Sequence, residues 1–231
     1  MNLYHIFIVL IIVSHSAMTH AINIRQALTI KALKGHRPLG YKAARRVLFG
    51  KIYLQKTSQG SYIQDIYCQI HFTKKDGVGP FKIPDHTKLN TEHAWPKARF
   101  SKKSSYSTQK TDLFHLFPTA NQANSYRGDL HFGEVKQVKN YIPNCPLSNQ
   151  GKSVFTPPEN IKGDLARALF YFSIRYNIPI TNLEEAHLRN WHLLDPVDDF
   201  ERVKNDLVEK YQGNRNPFID HPEIVNKLKD F

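Results

Sequence analysis

The chain has 231 residues, a formal net charge of +12 and a pI near 9.6, and 41% of its residues are hydrophobic. This composition excludes an intrinsically disordered chain, and the length fits one domain that buries a core without help from a metal. The positive charge favours an acidic partner, most commonly nucleic acid, over the alternative of a generally cationic secreted protein.

The N-terminal residues are typical of a secretory signal peptide. Residues 2–21 contain no Lys, Arg, Asp or Glu, and the apolar run at residues 6–13 is shorter than the roughly 20 residues that cross a bilayer. A small-residue cleavage site follows at Thr19-His20-Ala21. We predict a signal peptide over residues 1–21 and one mature domain over residues 22–231. A buried N-terminal strand is the alternative.

Short elements are predicted in the first part of the mature chain. Helices are predicted over residues 24–33 and 41–49, ended by Gly35 and Gly50. Residues 61–72 are rich in aromatic and β-branched side chains, which predicts a strand or an extended segment.

Two loops are predicted further along. Residues 74–84 are punctuated by glycine and proline. Residues 98–110 are rich in serine and lysine, with Phe100 and Tyr106 among them, and predict an exposed basic loop. The alternative is a solvated loop with no role in contacting a ligand.

Two strands and a helix are predicted in the middle of the chain. Pro96 favours the end of the first strand, because proline cannot donate a hydrogen bond to a continuing ladder. Residues 112–118 are apolar and aromatic, as in a short buried strand that ends at its proline. Residues 121–127 predict a helix, with Thr119 or Asn121 as the candidate cap.

Glu92, His93 and Asn124 are the candidate site residues of this unit. Neighbouring residues on a regular strand point to opposite faces, so Glu92 and His93 share a site only where the strand ends or twists. A histidine at such a strand end can face an asparagine on the helix. Taken alone, an exposed Glu-His pair and a capping asparagine explain the same residues.

Two helices are predicted in the C-terminal part, with aromatic residues that we assign to the core. The first follows Pro158, which suits a first helical turn. Its apolar residues recur at helical spacing at Ile161, Leu165, Ala168, Leu169, Phe172 and Tyr176. The second begins at Asp198, a cap with Glu201 three residues on, and ends at Gly213. The sequence contains no repeat, low-complexity tract or linker.

The cysteines are Cys68 and Cys145. In an oxidising compartment they predict one disulfide, which would close a loop of roughly 78 residues and stabilise the fold by about 4–5 kcal/mol. Two free thiols are the alternative. Two cysteines exclude a four-cysteine zinc site.

Ordered segments over most of residues 40–220 carry a family resemblance. The pattern Asn-x-Glu-His-x-x-Pro is followed by Asp-Leu-x-His-Leu-x-Pro and then by Asn-x-x-Arg. The segments are Asn90 to Pro96, Asp112 to Pro118, Asn124 to Arg127, Pro157 to Ala168, Asp195 to Asp198 and Gln212 to Phe218. The chain thereby resembles the bacterial endonuclease I family of secreted and periplasmic nucleases, which carry a ββα-metal (His-Me) finger. The resemblance implies an α+β fold, a mostly helical single domain around that finger.

The same resemblance implies site roles. Glu92 and Asn124 match the metal ligands, and His93 matches the general base that activates water. One carboxylate and one carboxamide suffice for Mg²⁺, which keeps several waters. Mn²⁺ or Ca²⁺ are expected substitutes.

Three further residues are candidates for roles around the site. Arg127 matches a basic position that could contact phosphate, although a helix-surface salt bridge explains it equally well. Arg99 is a second candidate for phosphate or substrate binding. His115 is expected to support the site, more simply through a structural hydrogen bond. Phe114 stands where many relatives have a histidine.

The implied function is a sequence-nonspecific endonuclease, secreted or periplasmic, that leaves 5′-phosphate ends on DNA, with RNA as a second substrate. We expect a monomer that binds nucleic acid through phosphates and no membrane after signal cleavage. The alternative is a secreted cationic nucleic-acid-binding protein without catalysis. The absence of a Gly-x-Ser-x-Gly elbow argues against a serine esterase.

Overall fold

The computed structural model describes residues 24–231, so the predicted signal peptide and its cleavage site lie outside the described residues. The fold is α+β, as predicted. The helices are residues 24–33 (α1), Tyr41–Val47 (α2), Tyr106–Thr111 (α3), Asn121–Arg127 (α4), Lys162–Tyr176 (α5), Asn182–Leu194 (α6), Asp199–Gln212 (α7) and Pro217–Asp220 (α8). The strands are Gln55–Thr57 (β1), Gly60–Gln64 (β2), His71–Thr73 (β3), Leu89–His93 (β4), Leu116–Ala120 (β5), His131–Phe132 (β6), Asn149–Gln150 (β7) and Val154–Thr156 (β8).

The strands form three small sheets. β1, β2 and β3 make an antiparallel meander, and β8 lies between β6, its parallel neighbour, and β7, its antiparallel neighbour. β4 pairs antiparallel with β5 alone, in a register that sets Glu92 opposite Phe117 and His93 opposite Leu116. α4 begins directly after β5 and contacts both strands. This strand-strand-helix unit carries the candidate site.

The core is built around α5. Every residue of this helix except Arg175 is buried, and the helix contacts α6, α8 and the 3₁₀ turn Leu113–His115. A helix buried on all sides needs partners for its polar groups. Arg167 accordingly forms an ion pair with Glu201 of α7 inside the protein. Among residues 24–231, no helix combines the length and the apolar character needed to span a bilayer.

Gly50 does not end the helix that begins at Tyr41, contrary to the prediction. The chain continues into a π-helical turn, Leu48–Ile52, and the Tyr53 N–H donates to the Leu48 carbonyl at 3.0 Å. A Cβ at residue 50 would lie 2.2 Å from the Phe81 backbone nitrogen. The glycine therefore serves a close backbone approach rather than a helix end.

The middle segment also differs from its prediction. Asp112 caps the 3₁₀ turn through the Phe114 N–H, and the strand begins only at Leu116. Pro118 lies inside β5, opposite Thr91, and does not end it. Its carbonyl accepts a hydrogen bond from the Ile66 N–H at 3.0 Å, on the edge away from β4. The missing proline N–H therefore falls on a strand edge, where it is tolerated.

The disulfide and the last predicted helix are confirmed. Cys68 and Cys145 are bonded, which joins the β2–β3 connection to the segment before β7. α7 is capped by the Asp198 side chain, which accepts from the Glu201 N–H at 2.8 Å, and ends at Gly213 with φ +91°. α6 was not predicted, although Thr181 caps it as an N-terminal Thr-x-x-Glu motif would.

Candidate active site

β4, α4 and α2 surround an open cleft of about 350 Å³. The cleft brings Glu92, His93 and Asn124 together, whereas Arg99, Arg127 and His115 do not line it. Its other lining residues are Tyr41, Asn90, Thr91, Pro96, Lys97, Ala98, Asn121, Ser125, Gly128 and Asp129. Glu92 and His93 share the cleft although they are neighbours, because β4 ends at His93.

Glu92 is a buried carboxylate that is held by one of its two oxygens. Its Oε1 accepts a hydrogen bond from the Tyr67 hydroxyl at 2.8 Å and lies 2.9 Å from Arg127 Nη1. No side chain among residues 24–231 donates a hydrogen bond to Oε2, and the His93 backbone N–H lies close enough to the carboxylate to lower its pKa. Burial raises the pKa of Glu92 above its usual value, while the neighbouring Arg127 opposes that rise. The second oxygen is thus left for a ligand at the cleft.

Arg127 is fully buried, so its guanidinium does not face solvent as a phosphate contact would require. It donates to the backbone carbonyls of His93 at 3.1 Å and Ala94 at 2.6 Å, and it lies 4.4 Å from the centre of the Phe132 ring. Together with the ion pair to Glu92, these bonds fix the end of β4. The structure therefore supports a positioning role for Arg127 instead of the predicted phosphate contact.

His93 is fixed in one tautomer by the backbone. Its Nε2 lies 3.1 Å from the Lys110 carbonyl oxygen, and a carbonyl only accepts, so Nε2 carries the proton and Nδ1 keeps its lone pair. Within the described part of the chain, Nδ1 has no hydrogen-bond partner. Burial lowers the pKa of His93 to about 3, so the ring is neutral at ordinary pH. A neutral imidazole with a free Nδ1 can take a proton from water.

Asn124 lies on α4, one helical turn after Asn121. Its carboxamide is partly exposed and makes no hydrogen bond to the residues that the structure describes. The N-cap of α4 is Ala120, so neither Thr119 nor Asn121 caps the helix as predicted. Asn121 Oδ1 instead accepts from Asn90 Nδ2 at 3.1 Å, which ties the helix start to β4.

These donors fit a hard divalent cation. Glu92 Oε2 and the Asn124 carboxamide oxygen are the ligand type that Mg²⁺ prefers, and Mg²⁺ retains several waters. Residues 24–231 contain no group of three or more His, Cys, Asp or Glu side chains that could cage a metal.

Arg99 and His115 lie behind the cleft. Arg99 Nη1 forms an ion pair with Glu184 at 2.9 Å, so this residue is occupied within the fold rather than presented to a substrate. His115 is fully buried, its Nε2 donates to the Gln109 carbonyl at 2.7 Å, and its ring centre lies 5.3 Å from that of His93. It supports the wall behind His93. Phe114 packs against Tyr171, at 4.6 Å between ring centres.

Tyr67 is the site residue that sequence reasoning missed. It precedes Cys68 in an irregular connection, far from the matched motifs, and its hydroxyl reaches Glu92 only through the tertiary fold. No periodicity or spacing in the sequence signals that contact.

Curated relatives carry nuclease names. The chain is 36% identical over 162 residues to an extracellular ribonuclease of Bacillus subtilis (strain 168), and this match covers 60% of this chain and 53% of the relative. It is 24% identical over 193 residues to Endonuclease-1 of Buchnera aphidicola subsp. Acyrthosiphon pisum (strain APS), over 73% of this chain and 76% of the relative. It is 26% identical over 121 residues to an extracellular deoxyribonuclease of Aeromonas hydrophila, over 52% of this chain and 53% of the relative.

The chain spans about half the length of the Bacillus and Aeromonas relatives. The model of the Endonuclease I family, in contrast, matches residues 23–223, nearly the whole described chain and all of the cleft. The chain therefore belongs to the Endonuclease I family.

Proposed function

We propose that the chain is a magnesium-dependent, sequence-nonspecific endonuclease that hydrolyses phosphodiester bonds of DNA, and of RNA as a second substrate, to 5′-phosphate ends. The observation that carries this proposal is one cleft that combines a free imidazole Nδ1 on His93 with unengaged oxygen donors on Glu92 and Asn124. A general base beside a site for a hard cation can catalyse phosphodiester hydrolysis.

Glu92 and Asn124 would hold the cation. When bound, Mg²⁺ offsets the charge of the phosphate and stabilises the leaving 3′ oxygen. Tyr67 and Arg127 position the Glu92 carboxylate. Both contact Oε1, so Oε2 is available to bind the cation.

His93 performs the proton transfer. Nδ1 takes a proton from water while Nε2–H stays hydrogen-bonded to the Lys110 carbonyl, which keeps the ring oriented. The water oxygen bonds to phosphorus, the bond from phosphorus to the 3′ oxygen breaks, and the phosphate remains on the 5′ side. Because burial keeps His93 neutral, the base is available without prior deprotonation.

Substrate and location follow from the relatives and from charge. One relative is named a ribonuclease and another a deoxyribonuclease, which supports a site that does not depend on the sugar. A net charge of +12 suits binding through phosphates, and phosphate contacts carry little sequence information. The Bacillus and Aeromonas relatives are named extracellular, and we propose a secreted or periplasmic monomer.

The second candidate is a cationic nucleic-acid-binding protein without catalysis, which the net charge alone would support. Digestion of a supercoiled plasmid with Mg²⁺, and with excess chelator, separates the two. The endonuclease nicks and then fragments the plasmid, and chelator stops it. Retarded but intact plasmid under both conditions would establish the binding protein instead.

A further inference from the structure

The guanidinium group of Arg45, on α2, lies beside the cleft. Arg45 follows Tyr41 by four residues, so both lie on one face of the helix. Tyr41 lines the cleft, and its ring is stacked near His93, at 6.1 Å between centres and 26° between planes. The guanidinium carbon of Arg45 lies 5.7 Å from the Tyr41 ring centre and 5.8 Å from that of Phe49. The guanidinium thus lies on the edge of the wall that Tyr41 forms.

The Arg45 guanidinium is partly buried without a protein partner. Its Nε and Nη2 atoms are buried and make no hydrogen bond. Arg99, Arg127 and Arg175 also have a buried free nitrogen, but each is anchored through another nitrogen to a neighbouring side chain. Arg45 makes no hydrogen bond and no salt bridge among residues 24–231, and residues 1–23 contain no Asp or Glu. Buried polar groups without a protein partner need an acceptor that water, an ion or a ligand supplies.

The Lys110 ammonium group is a second positive charge that packs against the Tyr41 ring. Its Nζ lies 4.3 Å from the Tyr41 ring centre, and its backbone carbonyl is the group that fixes His93. Of the carboxylates at the cleft, Glu92 is already neutralised by Arg127, and Asp129 is exposed on the segment after α4. The wall formed by Tyr41, Arg45 and Lys110 therefore carries positive charge that no described carboxylate within salt-bridge distance balances.

We propose that Arg45 and Lys110, packed around Tyr41, bind a phosphate of the nucleic-acid chain adjacent to the one that is cut. This inference rests on the proposed function. Guanidinium groups bind phosphate through paired N–H donors, and a phosphate would supply acceptors for the buried nitrogens of Arg45. Binding there would hold the chain across the cleft, with the next phosphate beside His93.

The test compares two neighbouring arginines. Arg45→Gln and Arg46→Gln remove the same charge from the same helix, but Arg46 is exposed on another face. Filter binding of a short DNA duplex is measured over a range of salt concentrations, in chelator so that nothing is cut. Arg45→Gln should weaken binding roughly tenfold and lower the slope of log affinity against log salt by about one. Arg46→Gln should change both much less. Equal effects of the two substitutions would overturn the proposal.

A positional test follows with cleavage. Duplexes carrying a single neutral methylphosphonate are digested, and the cut sites are mapped. The wild-type protein should cut poorly at the bond whose neighbouring phosphate is neutral, and Arg45→Gln should lose this dependence on the neighbour. If the wild type shows no such dependence, the subsite does not exist. A wild-type protein that cuts nothing would contradict the proposed function, while the binding comparison would still decide the role of Arg45.

A second pair of variants tests the proposal in case Arg45→Gln is misfolded. If Arg45→Gln melts well below Arg46→Gln, the same salt slopes are measured for Lys110→Gln and for Lys102→Gln, an exposed lysine of the preceding segment. The slope should fall for Lys110→Gln and much less for Lys102→Gln. Equal slopes for this pair would overturn the proposal.

Discussion

At the level of single residues, the two carboxylate oxygens of Glu92 have different surroundings. Tyr67 and Arg127 hold Glu92 Oε1, and Oε2 remains for a ligand. The same contacts make Glu92 structurally costly to remove. Truncating one member of a buried ion pair leaves the other charge without compensation, and this typically destabilises a protein by about 3–5 kcal/mol. Glu92→Ala would therefore confuse loss of metal with loss of fold.

Glu92→Gln and Asn124→Ala test the metal assignment with less disturbance of the fold. We expect both to lose Mg²⁺-dependent cleavage and to bind Mg²⁺ more weakly in titration calorimetry, while their circular dichroism spectra stay native. The control is Asp129→Asn, which alters an exposed carboxylate of the same cleft and should keep activity. Cleavage at the wild-type level by Glu92→Gln would refute the assignment of Glu92 as a ligand.

Tyr67→Phe tests whether the hydroxyl orients Glu92. The substitution removes one hydrogen bond from the carboxylate and leaves the buried ring in place. We expect the Mg²⁺ concentration for half-maximal cleavage to rise, with the rate at saturating Mg²⁺ changed less. Tyr62→Phe removes a hydroxyl that bonds to Gln55 on the β1–β2 hairpin and serves as the control. An unchanged Mg²⁺ requirement in Tyr67→Phe would show that the contact is dispensable.

At the scale of the element, helix α2 and its π-helical turn depend on one close approach. Gly50 lies against the Phe81 backbone, whereas a Cβ at Gly40 would meet nothing within 4 Å. Both glycines belong to the same helical unit, one before its first residue and one near its end.

Gly50→Ala should lower the free energy of unfolding by about 1–3 kcal/mol, because the added methyl group forces the two backbones apart. Gly40→Ala should cost less, no more than about 1 kcal/mol, because its Cβ meets no neighbour and only the poorer N-capping of alanine remains. Urea denaturation of both variants measures the difference. Equal midpoints would mean that the backbones at residue 50 and Phe81 move apart with no loss of stability.

The elements show which parts of the fold sequence can predict. α7 was predicted with its cap and its end, because Asp198 and Gly213 are local signals that act on the backbone next to them. Pro118 and Gly50 were misread as ends, because the groups that make them tolerable or necessary, Ile66 and Phe81, are distant in sequence. α6 was missed because its exposed face carries Leu183, Leu193 and Leu194, which blur its apolar periodicity.

The candidate site was predicted in part. Glu92, His93 and Asn124 were predicted because their motifs resemble those of a known family, and the structure brings the three residues into one cleft. The roles of Arg127 and Arg99 were not, because the burial of Arg127 and the ion pair of Arg99 with Glu184 depend on the tertiary fold. Arg127 is enclosed by Phe132 and the end of β4, and Arg99 by Glu184 of α6.

At the scale of the whole molecule, one covalent bond joins distant parts of the chain. The Cys68–Cys145 disulfide spans 77 residues, and that span includes β4, β5 and α4. Reducing it should destabilise the protein by about 2–5 kcal/mol, mainly by freeing the unfolded chain. The Cys68→Ser/Cys145→Ser double variant should melt lower and, below its melting temperature, cleave at a rate near that of the wild type. Two alkylatable thiols in natively secreted protein would contradict the bond.

Buried histidines make the stability of the whole molecule depend on pH. Burial lowers the pKa of His192 to about 4, with the neighbouring Arg167 adding to the shift. The unfolded chain takes up this proton near pH 6.5 and the folded chain does not, so stability is lost as the pH falls from about 6.5 to about 4. Denaturant midpoints from pH 7 to pH 4.5 should fall less for His192→Gln than for wild type or for the exposed His86→Gln; parallel slopes would contradict the account.

We propose His93 as a general base rather than as a residue that binds nucleic acid. The most direct measurement takes His93→Ala and the wild type in parallel, and determines the single-turnover cleavage rate and the filter-binding affinity for one DNA duplex. Removal of a general base typically lowers the rate by about 10²–10⁴-fold. The rate should fall by that factor, while affinity stays near the wild-type value because Glu92, Asn124 and the basic surface remain. A wild-type rate in His93→Ala, or a joint collapse of rate and affinity in a folded protein, would contradict the account.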